Sequence, residues 1–211
     1  MKKKFKISST DIITFFTIFI LSSSIFGLYN FKEGENSQEL PEYVFEYISN
    51  SNNVTYYFED IDNNFLVYLP LSNGQYYKAG YRLDPREITN YAYPNEVINK
   101  INSNKKIYLS ANPNNFDGKV NVAMLQLVNS ISLSTLGRDV DFVESFTEDA
   151  NPINPNIPIR SCKSNDFVIE FNLAKNNGVF IKNNCIQINS TTSDNLINYA
   201  DSIGYGLVGI N

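Results

Sequence analysis

Apolar residues fall into different periodicities along the chain, and each predicts a different element. Residues 12–31 carry no charge: Ile12, Ile13, Phe15, Phe16, Ile18, Phe19, Ile20 and Leu21 precede a serine run, and Ile25, Phe26 and Leu28 follow it. About 20 such residues in a helix cross the roughly 30 Å hydrocarbon layer of a bilayer. The segment therefore reads as a transmembrane signal-anchor behind a basic tail at residues 1–11. Residues 32–53 mix charge, proline and asparagine and read as a linker, with a short helix at residues 42–48. Beyond it Val54, Tyr56 and Phe58 alternate with Thr55, Tyr57 and Glu59. The alternation resumes at Phe65, Val67, Leu69 and Leu71, and again at Tyr77, Ala79, Tyr81 and Leu83. Period-two runs broken by Asp, Asn and Gly predict a three-stranded antiparallel meander with one buried face.

From residue 94 the pattern alternates between helix and strand. A short helix is expected at residues 94–104, a buried strand at 106–111, a longer helix at 120–136 stopped by Gly137, and a strand at 140–146. Strand, helix and strand in that order predict a βαβ unit with parallel strands. Residues 151–158, with three prolines, read as a loop. Residues 167–171 and 179–188 read as a hairpin about Asn176-Asn177-Gly178, and Ser193 as the cap of a last helix through about Leu207. The expected fold is mixed α/β, with residues 54–211 forming one domain and at least one parallel strand pair.

Charge orients the chain. Lys2, Lys3, Lys4 and Lys6 precede the apolar run, and only Lys32 follows it closely before Glu33 and Glu35. The positive-inside rule then places the N-terminus in the cytoplasm and the domain outside it, at the cell membrane. A cleaved signal peptide ending near Ser22 or Ser24 is the alternative, and it also delivers the domain outside. Residues 12–211 carry 13 basic against 21 acidic side chains. Such a balance argues against nucleic acid as a partner, because phosphate binding needs a basic face.

Histidine is absent, so imidazole acid–base steps, Ser/His or Cys/His nucleophiles and His-ligated metals are excluded. About thirty asparagines and a strong preference for Lys over Arg fit an AT-rich coding bias. Two of only four arginines, Arg82 and Arg86, flank Asp84. A planar bidentate donor chosen where Lys is the common cation suggests a structural ion pair or an anion contact. Asp60, Asp62 and Asn64 begin like a calcium loop, but Phe65 and Leu71 stand where Gly and Glu are required. Residues 112–118 lie between a strand and a helix without any phosphate-loop pattern. No cofactor or metal is expected. Asn53 and Asn189 lie in glycosylation sequons. The abundant Tyr and Phe suit strand cores first and a glycan-binding platform second.

At Arg82–Arg86, Cys185-Ile186, Ala200-Asp201, Tyr205 and Gly209-Ile210 the chain resembles an uncharacterised family of archaeal single-pass membrane-anchored proteins, over about residues 75–211. The resemblance implies an anchored envelope domain and carries over no site residue. The expected role is a non-catalytic interaction or structural module, with the membrane and other envelope proteins or glycans as partners. Two alternatives are open: a surface hydrolase or transferase using Glu59, Asp84 or Glu87, and a solute-binding or sensor domain. Finally, Cys162 and Cys185, both beyond the membrane segment, are expected to form a disulfide in an oxidising compartment. The expected hairpin would set Cys185 opposite Glu170, eight residues past Cys162, so the bond requires residues 163–166 to turn the chain back.

Overall fold

The computed structural model describes residues 44–49, 52–62, 64–71, 74–115, 117–134, 139–148 and 156–210. The basic tail, the expected signal-anchor at residues 12–31, most of the linker and the Gly137 stop lie outside the described residues. Among the described residues no helix is long and apolar enough to cross a membrane.

The meander is present and has one strand more than its alternation predicts. Strands β1 (Phe45–Ile48), β2 (Thr55–Ile61), β3 (Asn64–Pro70) and β4 (Tyr76–Tyr81) form a four-stranded antiparallel sheet in sequence order. The helix expected at residues 42–48 is instead β1, paired to β2 with Phe45 opposite Phe58. Phe45 and Tyr47 share a period of two, and both rings pack on Phe58, at centroid distances of 5.4 and 6.2 Å. Aromatic packing across the pair outweighs the helix propensity of so short a segment. Residues 45–48, read as linker, thus belong to the sheet. The reversal before β2 is closed by Ser49 and Val54 and passes through Asn53 at φ 55°, a left-handed conformation that Asn tolerates. The buried face collects Tyr56, Phe58, Phe65, Val67, Ala79 and Tyr81, as the alternation predicts.

The second sheet has five strands in the order β6-β5-β7-β9-β8, formed by β5 (Lys106–Ala111), β6 (Asp141–Phe146), β7 (Val168–Leu173), β8 (Gly178–Lys182) and β9 (Cys185–Ser190). Pairs β5–β6, β5–β7 and β7–β9 are parallel, and only β8 runs against its neighbour. Helices α1 (Glu96–Ser103), α2 (Gly118–Ser134) and α3 (Ser193–Leu207) agree with the expected segments, and α2 links the parallel strands β5 and β6. Thr192, one residue before the expected Ser193, caps α3 by accepting the Asn195 N–H.

The expected hairpin is corrected. Residues 179–188 are two strands, broken at Asn183-Asn184, where Asn183 takes φ 52°. β8 turns back onto β9, and β9 inserts beside β7 with Val168 opposite Cys185 and Glu170 opposite Gln187. A strand buried on both sides is favoured in a sheet interior: Ile186 and Ile188 are fully buried on one face of β9 and Cys185 is buried on the other, whereas β8 keeps exposed positions suited to an edge.

The helices pack on one face of this sheet around Leu109, Ile131, Ile169, Phe171, Ile186 and Ile203. Close approach of α2 and α3 depends on Gly204. A β-carbon there would meet the Tyr81 ring at 2.9 Å and the Ser130 β-carbon at 3.0 Å. Helix α3 serves both cores, since Leu196, Ala200 and Ile203 lie in the larger one while Tyr205 lies in the meander core.

Candidate functional site

The opposite face of the five-stranded sheet carries a cluster of polar side chains, and strand register builds it. Facing residues share a side of a sheet, so Ser145, Ser110, Glu170, Gln187 and Phe180 form one row across all five strands. Val143, Tyr108, Val168, Cys185 and Lys182 form the row before it. Cys162 arrives over these rows on the segment after β6, which the Ser110 hydroxyl holds by donating to the Arg160 carbonyl. A turn closed by the Ser164 N–H on the Ser161 carbonyl reverses the chain, beginning two residues before the segment 163–166 in which the sequence places the reversal.

The disulfide between Cys162 and Cys185 is formed, with Cα atoms 5.2 Å apart. Beside it the Glu170 carboxylate, 7% exposed, is held from three sides. The Cys162 N–H donates to Oε2 at 2.8 Å, and the side-chain amides of Asn172 and Gln187 donate to Oε1 at 3.0 and 3.1 Å. A buried charge costs several kcal/mol unless hydrogen bonds replace its water, and these three donors do so. Both sulfurs and a Glu170 oxygen lie within 4.8 Å of one another.

A second buried carboxylate joins the two sheets' helices and loops. Asp201, on α3 and fully buried, accepts the main-chain N–H groups of Arg82 and Leu83 on Oδ2 at 2.6 and 2.9 Å. Its Oδ1 has no partner among the described residues. Burial pushes its carboxyl up to about 7, against the opposing pull of those two N–H donors and the Arg82 charge. One helical turn on, the Tyr205 hydroxyl donates to the Leu83 carbonyl at 2.7 Å, and its ring stacks on Tyr81 at 4.1 Å. Together Asp201 and Tyr205 fasten residues 82–83 to the last helix.

The arginines singled out by the sequence lie at this junction but do different work. Arg86 makes a bidentate pair with Asp84 and lies over the Phe45 ring, 4.8 Å from its centroid. That geometry uses the planar guanidinium and explains why Lys does not stand there. The Arg86 hydrogen bonds hold the Asp84 carboxyl below its usual range. Asp84 also caps the 3-10 helix Pro85–Tyr91 by accepting the Arg86 N–H. Arg82 is exposed and joins the junction through its main chain.

The remaining candidates are dispersed. Glu59 accepts the Tyr68 hydroxyl at 2.7 Å on the meander, and Glu87 is exposed. Asn53 is exposed in its turn, whereas the Asn189 side chain is half-buried on β9 and accepts from Asn172. Strand order reverses between β5 and β7, where ligands of open α/β sheets commonly sit. The hollow there, lined by Asn112, Asn115 and Asn172 among others, is only about 70 Å³. Its helix terminus is already filled, since Asp117 accepts the N–H groups of Lys119 and Val120 and Lys119 pairs with Asp194. A chain carboxylate at the positive end of α2 disfavours an incoming anion. A wider apolar groove of about 450 Å³ is lined by Tyr56, Leu69, Tyr77, Leu133 and Leu207, with no carboxylate in its wall among the described residues.

Glu170 and Asp201 escape the sequence reading. The available signal is the same for both: a lone acid within a run that otherwise buries completely, Phe167–Phe171 in one case and the apolar face of α3 in the other. Compared with known proteins, the chain matches no family model, no curated protein and no solved structure.

Proposed function

We propose that this chain is a non-catalytic interaction or structural module of the cell envelope, held outside the cytoplasm by its N-terminal apolar segment. The observation that carries the reading is the closed Cys162–Cys185 bond. Persistent structural disulfides belong to oxidising compartments, and the distribution of lysines around residues 12–31 points the domain the same way. The carboxylates of the hydrolase alternative add support. Glu59 and Asp84 are each engaged by a neighbour, with Tyr68 and Arg86 respectively, and neither lines the larger groove. General acid–base chemistry needs two such groups converging on one substrate.

Topology is the direct test. In intact cells, a membrane-impermeant maleimide should label the chain only after treatment with an impermeant reductant, and alkaline carbonate should leave it in the membrane pellet. Labelling only after lysis would refute the extracytoplasmic placement. Carbonate release of a chain starting near Ile25 would establish cleavage in place of an anchor.

The solute-binding reading is favoured by one observation, the groove whose wall is mainly apolar. An apolar dye displaced by added lipid or aromatic solutes, and lost in Leu207→Arg, would establish it.

A further inference from the structure

We infer that Cys162, Cys185 and Glu170 form a metal site in the reduced chain, so that a thiophilic divalent cation of the zinc class replaces the disulfide as the clasp between residue 162 and β9. The inference does not depend on the envelope reading. It rests on the placement of a Glu170 oxygen within 4.8 Å of both sulfurs of the Cys162–Cys185 bond. Tetrahedral zinc with Zn–S near 2.3 Å and Zn–O near 2.0 Å sets its ligands about 3.5 Å apart, so modest separation of the sulfurs completes the geometry.

The scaffold fixes two ligands. Val168 faces Cys185 and Glu170 faces Gln187 across one parallel pair, which makes Cys185 and Glu170 diagonal neighbours on the same face. The third ligand can adjust, because Cys162 is half-buried on a connecting segment and its N–H is tied to Glu170 itself. A carboxylate offers about four acceptor positions, and three hydrogen bonds leave about one for a cation. The Asn172 and Gln187 amides then act as the outer partners that orient a ligating carboxylate.

The chemistry balances as follows. A dithiol reductant supplies two electrons and two protons, the S–S bond breaks to two thiols, and the dithiol closes to its own disulfide. The cation displaces both thiol protons to solvent and binds two thiolates and one carboxylate. Water completes the fourth position, as in open zinc sites. Soft sulfur ligands select zinc, cadmium or cobalt over magnesium or calcium.

The test uses the full-length chain in mild detergent, reduced by a phosphine and titrated anaerobically with cobalt(II), then with zinc. The reduced chain should take up one cobalt with tetrahedral visible bands and a thiolate-to-cobalt band sized for two sulfurs, and zinc should bleach both. The oxidised chain should show neither. Cys162→Ser and Cys185→Ser should each halve the charge-transfer intensity. Glu170→Gln should weaken binding at least about 10-fold, the lower bound for losing even an outer partner. Failure to bind in the reduced wild type, or affinity unchanged by Glu170→Gln, overturns the site. Should Glu170→Gln fail to fold when oxidised, X-ray absorption of the wild-type zinc form decides: two sulfur and two light ligands sustain the proposal, and four sulfurs shared between chains overturn it.

Discussion

In the four-stranded sheet every strand pairs with the next in sequence, whereas in the five-stranded sheet β7 skips β8 to lie beside β9 and β5 lies between β6 and β7. The first sheet is held by neighbours in sequence and by aromatic contacts among Phe45, Phe58, Tyr81 and Tyr205. The second is held by long-range parallel pairing, by three helices on one face and by a disulfide and a buried acid on the other. The contrast shows where the molecule needs chemical staples. A meander closes short loops at small entropic cost, while parallel strands must close long ones. Of the two specially held carboxylates, Asp201 fastens segments 118 and 119 residues apart, and Glu170 ties its strand to Cys162 and to Gln187 of β9.

The largest effect should come from breaking the meander core. Phe58→Ala should cost about 3–5 kcal/mol, read in a denaturant titration, because Phe58 is fully buried against Phe45 and Tyr205. Since α3 belongs to both cores, amide exchange should rise in both sheets together. Exchange confined to β1–β4 would show that the two sheets unfold independently.

Next comes Asp201. Asp201→Ala leaves the buried Leu83 N–H and the part-buried Arg82 N–H without their acceptor, at about 1–3 kcal/mol for the buried group and less for the other. Asp201→Asn keeps the acceptor and should alter the pH profile. A carboxyl raised to about 7 in the folded chain favours the fold fully below its unfolded value near 3.8. That contribution is lost as pH climbs through about 7. The stability difference between wild type and Asp201→Asn should therefore shift against wild type from pH 4 to pH 8. A constant difference would exclude this titration.

Opening the Cys162–Cys185 bond, with metal chelated, should cost roughly 3 kcal/mol for its separation of 23 residues. The loss should fall on exchange in β7 and β9 before it reaches the meander. The smallest effect is at the β8–β9 turn. Asn183 sits at φ 52°, so Asn183→Val should cost about 1 kcal/mol and Asn183→Gly nearly nothing. Equal costs for the two would mean that the turn relaxes.

Much of this architecture is legible in the residue order, and the misses have common causes. Strands β2 to β4 and β5, helices α1 to α3 and the βαβ order follow from periodicity. Strand β1 is missed because four residues are too few to show a period. The β8–β9 turn is missed because Asn176-Asn177-Gly178 and Asn183-Asn184 offer the same turn chemistry a few residues apart. The cysteine pair is legible by count, and so is the need for a reversal before β7. The assumed ladder beside it is incorrect, because antiparallel pairing was the shorter connection. Arg86 and Asp84 are readable as a pair, being two residues apart, but the ring beneath Arg86 is not.

What the sequence by itself determined, then, is whatever depends on near neighbours: alternation, helical stretches, turn residues, the absence of imidazole chemistry and the presence of two cysteines. Only the tertiary structure decided which strand lies beside β7, that Glu170 meets the cysteines, and that Asp201 receives the main chain of residues 82–83. Those outcomes depend on burying both faces of a sheet and on satisfying charged groups removed from water, which are properties of the packed chain as a whole.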